Sequence, residues 1–200
     1  QTSVVRASAF KADHLPSPVT THSYLFIADI IRQPPHPSGF PATWGVHREA
    51  FKQFTPGDPV VADYEMDPEI VTDPRYRTEI TGSLTTLPSL SLVMDMQDFS
   101  DLYAQPRDRG RALERPASVQ YILPEVQAAG FQVNAGLRIH GGVGRKEFLP
   151  KHSFRLIFRG EYGPTRLNYP LFPNSPVEQF DTLVLRGGSD RSFAGLGPIR

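Results

Sequence analysis

Hydrophobic positions alternate cleanly along residues 131–140. Phe131, Val133, Ala135, Leu137 and Ile139 fall on one side, and Gln132, Asn134, Gly136, Arg138 and His140 on the other. That is the period of a strand with one buried face. Residues 152–159 repeat the pattern, with Phe154, Leu156 and Phe158 opposite Arg155, Ile157 and Arg159. In residues 179–186, Leu183 and Leu185 oppose Thr182, Val184 and Arg186. Short apolar runs at 89–94 and 117–123 predict two further strands, while residues 95–111 read as polar and turn-like. No internal repeat is found.

The N-terminal part has a different texture. Residues 4–10 alternate, 11–18 are turn-rich, and 20–27 are rich in β-branched and aromatic side chains. Two strands of an all-β unit follow from this, too few to bury a core of their own. Residues 1–27 are therefore expected to be the end of a β-sandwich-like module whose start is missing. Residues 28–45 are expected to be a proline-rich linker, for Pro34, Pro35, Pro37, Pro41 and Gly39 exclude regular structure there. Trp44 would anchor that linker onto the next unit.

Two helix starts share one design. Asp67-Pro68-Glu69 and Asp73-Pro74 each put a carboxylate at the cap and proline at the first helical position. The first helix is short. The second is predicted from 74 to about 84, closed by Leu87-Pro88. Capping accounts for much of the local acidity and weakens a metal-site reading of Asp63, Glu65 and Asp67. The predicted fold class is α+β, a largely antiparallel sheet with one or two helices packed on it. Residues 46–200 would form that unit, truncated at its C-terminus because the chain ends in a loop with no following element.

Composition narrows the picture only a little. Hydrophobic residues make up 39 % and charged residues 21 %, as in a soluble globular chain. No run approaches the roughly 18 apolar residues of a membrane helix. Without cysteine, disulfides, thiolate metal sites and a cysteine nucleophile are excluded. The zero net charge is a cancellation. Residues 58–101 carry ten acids against two arginines, and residues 136–160 carry six bases against one acid, Glu147. Such polarity suits either a charged ligand at one end or pairing of the two ends.

The basic segment holds the candidate chemistry. His140-Gly-Gly-Val-Gly-Arg145 lies between the two cleanest strands. Glycines let backbone N–H groups converge and a ligand approach closely. Arg138, Arg145, Lys151 and Arg155 surround them, so Arg138, Gly141, Gly142, Gly144, Arg145, Lys151 and Arg155 form a candidate phosphate cradle. A plain hairpin loop ringed by solvated bases would carry the same residues, since the motif is neither a Walker loop nor GxGxxG. Elsewhere the sequence offers no HExxH, no paired histidine spacing and no GxSxG elbow. Glu161, Asp181 and Asp190 are near enough to pair with Lys151 or an arginine. Nucleic-acid binding ranks low, because net charge is zero and aromatics are not interleaved with the bases.

Gly136-Leu-Arg-Ile-His-Gly-Gly-Val-Gly-Arg145, followed by Pro150-Lys-His-Ser-Phe-Arg-Leu-Ile-Phe158, resembles the signature of the CotH family of atypical protein kinases, named for a spore coat protein. The stretch 159–172, the strand 180–186 and the upstream segments 63–68 and 87–94 fit the same pattern in order. The resemblance covers roughly residues 44–200. Residues 1–27 more weakly resemble the last strands of a chitobiase/β-hexosaminidase C-terminal-like module, which often precedes such domains in bacterial surface proteins. The resemblance implies the nucleotide-binding lobe of a protein Ser/Thr kinase that uses ATP and a divalent metal, magnesium or manganese, to phosphorylate a protein substrate. It implies that Lys151 contacts the nucleotide phosphates and that Arg145 sits in the loop over them. It places the catalytic aspartate and the metal ligands beyond Arg200, so the isolated chain would be inactive. It also implies an extracellular or cell-surface bacterial setting. The competing expectation is a non-catalytic surface module that binds glycan or a cell-wall polymer.

Overall fold

The computed structural model describes residues 2–124, 129–149 and 151–187. The strands are β1 Ser3–Ala7, β2 Thr20–Tyr24, β3 Thr43–Val46, β4 Pro59–Val61, β5 Ser89–Val93, β6 Arg115–Ile122, β7 Phe131–His140, β8 Ser153–Ile157, β9 Leu167–Asn168, β10 Gln179–Phe180 and β11 Thr182–Leu185. The helices among the described residues are α1 Ile27–Ile31, α2 Pro68–Val71, α3 Ile80–Thr86 and α4 Met96–Ala104. Five strands form one antiparallel sheet in the order β11-β8-β7-β6-β5. The α+β class expected from the pattern is what the chain adopts.

The alternation of β7 builds the core. Val133, Ala135, Leu137 and Ile139 are buried on one face, beside Ala117 and Val119 of β6 and Leu156 of β8. Leu102 and Tyr103 of α4, Trp44 of β3 and Val60 of β4 complete the same cluster. Trp44 lies 4.5 Å from Tyr103 and 6.1 Å from Phe99, ring centre to ring centre.

Three local expectations change. Residues 95–111 contain α4, not only turns. The Asp95 carboxylate accepts from the Gln97 and Asp98 amides, and Phe99, Leu102 and Tyr103 share the inward face at helical spacing. Residues 28–45 are not all linker. They contain most of α1 and most of β3, and β3 pairs with β4 in a two-stranded sheet. The second acidic helix starts late. Asp73 does cap, accepting from the Arg75 amide at 2.8 Å, but residues 74–79 form irregular turns and the helix proper begins at Ile80. Arg75, Tyr76 and Arg77 offer no apolar stripe to bury, and Ile80 is the first buried side chain of that run.

The N-terminal hairpin β1–β2 lies on the polar face of the large sheet. Thr21 donates to Ser118 Oγ at 2.8 Å, the Ser23 amide to Gln120 Oε1 at 2.7 Å, and Asn134 Nδ2 to the Val19 carbonyl at 2.9 Å. It covers the part of that face nearer β5 and β6. The part around Arg138, His140 and Arg155 is left to the basic residues. Among the described residues no helix is long and apolar enough to cross a membrane.

Candidate anion-binding site

Register places the basic residues. Arg138 of β7 stands directly opposite Arg155 of β8, and the next pair on that face is His140 with Ser153. Directly opposed side chains in an antiparallel pair are about 4.5–5.5 Å apart at Cβ, and like charges there are destabilising. Burial of the other face fixes this register, because a one-residue slip would turn Leu137 and Leu156 to solvent. The folding pattern therefore sets two arginines side by side on one face.

One acid sits beside them. Glu114, with a side chain wholly shielded from solvent, accepts from Arg159 at 3.1 and 3.2 Å and lies 3.7 Å from Arg138 Nη1. Arg155 has no carboxylate partner among the described residues. Its Nε is buried and has no hydrogen-bond partner among the described residues. A buried unpaired donor costs roughly 1–3 kcal/mol, more when charged, so it marks a place where an acceptor is missing. Arg109 belongs to the same positive field, for Arg109, Arg138 and Arg155 together, after burial, lower the pKa of Arg145.

Arg145 has a different task from the one its position in sequence suggests. It is buried, and its guanidinium donates to four backbone carbonyls: Gly141 at 2.8 Å, Pro106 at 3.0 Å, Asp108 at 2.8 Å, and Ile139. All three of its nitrogens are occupied within the protein. Arg145 thus ties the end of β7, the glycine loop and the 105–108 turn into one piece. Four of its five N–H donors are used in this way.

The glycine loop is a turn and a half rather than a simple hairpin. Gly141 takes a φ of +118°, where only glycine is unstrained, and a short 3-10 turn, Val143–Arg145, follows. No neighbouring atom would obstruct a Cβ at Gly141 or Gly142, so that side of the loop is open. The Gly144 carbonyl accepts from buried His152 Nδ1 at 2.8 Å. Burial first, then Arg145, lowers the His152 pKa, against the pull of the Gly144 bond and Glu147. His152 is therefore neutral at pH 7, with its proton on Nδ1. The far side of the loop is fixed by Lys146 on Glu49, by Phe51 stacked on Phe148 at 3.7 Å, and by Arg107 on buried Glu147 at 2.8 Å.

The His152 arrangement predicts an acid-sensitive loop. A histidine whose folded pKa is depressed contributes stability above its unfolded value, about pH 6.5, and loses it as the pH falls towards the folded value. Asparagine can place an amide donor near the Nδ1 position without titrating. In thermal melts from about pH 7.5 to 5.5, His152→Asn will lose less melting temperature than the parent. Equal acid slopes for the two proteins would exclude His152 as a contributor.

Of the residues singled out in the sequence, Arg138 and Arg155 stand opposite each other on neighbouring strands, with Gly141 and Gly142 in the loop beyond them. Gly144 and Arg145 serve the loop itself. Lys151 is exposed, two residues ahead of Ser153 at the same end of the sheet. Among the described residues no acceptor takes a hydrogen bond from its ammonium.

Compared with known proteins, the chain matches no family model, no curated protein and no solved structure.

Arg109, His140 and Glu114 were absent from the sequence-derived set. His140 was legible from parity, since it shares the face of Arg138. Nothing local marks Arg109 or Glu114, which reach the site through the loop ahead of β6. The acidic stretch 58–101 does not neutralise the basic segment in any ion pair among the described residues. Lys146 pairs instead with Glu49, and Arg138 and Arg159 with Glu114, while Glu147 of the same segment takes Arg107. Glu161 and Asp181 pair with Arg111 and Arg166, and Asp190 lies outside the described residues.

Proposed function

We propose that this chain is the nucleotide-binding portion of a CotH-like protein Ser/Thr kinase, and that Arg138, Arg155 and Lys151 hold phosphates of ATP beside the open glycine loop. The observation that carries this is the buried, unpartnered Nε of Arg155 directly across the sheet from Arg138. Two arginines set opposite each other, of which only Arg138 reaches a carboxylate among the described residues, call for an anion, and guanidinium groups match phosphate oxygens in geometry and charge. The ordered motif 136–158 is what gives the anion a nucleotide identity. Gly141 and Gly142 are the loop positions where a phosphate can approach the backbone, and Gly144 and Arg145 hold that loop in shape.

Phosphoryl transfer to a protein hydroxyl depends on positioning and on metal-assisted charge stabilisation. Among the described residues no three histidines or acids lie together as metal ligands. The role proposed for the chain is accordingly confined to nucleotide binding, with neither the catalytic aspartate nor the ligands of a divalent cation assigned to the described residues. An extracellular or cell-surface location in a bacterium belongs to the same proposal.

ATP with magnesium or manganese should raise the melting temperature of the protein. A ligand at about 100 times its Kd stabilises by roughly 2.7 kcal/mol, several degrees for a chain of this size. Lys151→Ala should remove that shift while leaving the ligand-free melt unchanged. The same shift in both proteins would sink the role given to Lys151.

A second reading, a non-catalytic module for glycan or wall polymer, is favoured by one feature. A groove of about 970 Å³ runs between the N-terminal hairpin and residues 160–164, with Ser118, Gln132, Asn134 and Tyr162 in its lining. Stabilisation by a neutral oligosaccharide and not by ATP would select it.

A further inference from the structure

His140 is the group in the cationic cluster whose charge can change near neutral pH. It lies one same-face step along β7 from Arg138, roughly 7 Å at strand spacing, and opposite the small side chain of Ser153. A tetrahedral anion seated between Arg138 and Arg155 would therefore lie within reach of the imidazole. We infer that His140 makes this site selective for dianions, such as a phosphate monoester or the terminal phosphate of a nucleotide, by taking up a proton as the anion binds. The inference rests on the anion-site reading above and adds to it the charge state that the site prefers.

The groups facing His140 can be named element by element. Arg138 comes from its own strand and Arg155 from β8, while Ser153 is neutral. The glycine loop contributes Arg145, whose charge persists although four of its five donors go to carbonyls. The segment ahead of β6 contributes Arg109 and Glu114, and Glu114 is already shared by Arg138 and Arg159. The β11 neighbour of Arg155 is uncharged Val184. Positive charge dominates this set.

Burial first, then Arg155, Arg145 and Arg138, holds the His140 pKa below its ordinary value, so the free protein keeps it neutral. A bound dianion reverses the local field and adds an acceptor for the second imidazole N–H. The bound-state pKa then rises. Between the two values, binding takes up a proton and affinity grows as the pH falls. A monoanion such as a phosphodiester or a carboxylate cancels a single arginine and leaves the repulsion of the proton in place.

Sulfate is the clean probe, because it stays a dianion across the working range and every proton taken up belongs to the protein. Sulfate would be titrated into the parent protein by calorimetry at about pH 7.5, 6.5 and 5.5, at constant ionic strength and in two buffers of different ionisation heat. The expected uptake approaches about one proton per sulfate, with affinity rising by up to about tenfold per pH unit on acidification. His140→Gln should still bind, with affinity independent of pH. Sulfate binding without proton uptake in the parent would overturn this inference and leave the anion site standing. A pH dependence that persists in His140→Gln would overturn it as well. Absence of sulfate binding in the parent would remove both the inference and the site. The proton count is read on the parent alone, so it does not depend on how the variant folds.

Discussion

Replacing Arg145 with methionine will destabilise the fold by about 3 kcal/mol or more, although the side chain sits in a glycine-rich loop beside a proposed ligand site. The physical reason is the number of acceptors left behind. Four carbonyls, on Ile139, Gly141, Pro106 and Asp108, take their hydrogen bonds from this one guanidinium. A buried acceptor without its partner costs roughly 1–3 kcal/mol, and water can reach part of the loop, so the sum falls short of four full penalties. Relief of repulsion from Arg109, Arg138 and Arg155 offsets a further part. For a chain of this size, 1 kcal/mol moves the melting temperature by about 2–4 °C, so the drop should be at least about 6 °C. Arg145→Lys should recover little, because an ammonium cannot span a fork of four carbonyls. An unchanged melting temperature in Arg145→Met would show that the residue is a ligand contact and not a structural tie.

Trp44→Ala should cost about as much, roughly 3–5 kcal/mol, the usual range for deleting a buried large aromatic. Trp44 packs at once on Tyr103, Phe99 and Tyr64, and its indole N–H donates to the Tyr64 hydroxyl at 3.2 Å. It joins the two-stranded sheet of β3 and β4 to α4, and α4 to the large sheet. Its removal should lower the melting temperature by roughly 6–20 °C and expose hydrophobic surface to a dye such as ANS. A shift under about 2 °C would instead fit the looser role of a linker anchor.

The contrast between these two residues shows what the sequence could and could not carry. The face assignment of β7 was legible because five alternations in a row have one physical explanation. So was the meeting of Arg138 and Arg155, once both strands were aligned by their apolar faces. The helix α4 was obscured by its own surface. Gln97, Asp98, Ser100 and Asp101 make the stretch look like a loop, while the spacing of Phe99, Leu102 and Tyr103 was present and unused. Prolines at 34–41 suggested a linker and hid β3, which begins two residues after the last of them. Arg145 could not be read correctly from local sequence. A basic residue after glycines looks the same whether it faces a phosphate or backbone carbonyls, and two of its acceptors lie nearly forty residues upstream. The N-terminal hairpin was equally opaque, because its contacts to Ser118, Gln120 and Asn134 are hydroxyl and amide pairs with no hydrophobic pattern.

Arg155 gives the central claim its most direct test. If the unpartnered Nε of Arg155 marks a guanidinium that awaits a phosphate, that side chain is costly in the free protein and valuable in the bound one. Arg155→Met removes the buried unpaired Nε and the like charge opposite Arg138 while keeping most of the side-chain volume. Equilibrium binding of ATP, measured by calorimetry on the parent and on Arg155→Met, separates the possibilities. The account predicts saturable binding by the parent, a loss of at least about tenfold in affinity for the variant, worth roughly 1.4 kcal/mol, and a ligand-free melting temperature that is equal or higher in the variant. Equal affinity in the two proteins, or no binding of ATP by the parent, would contradict it.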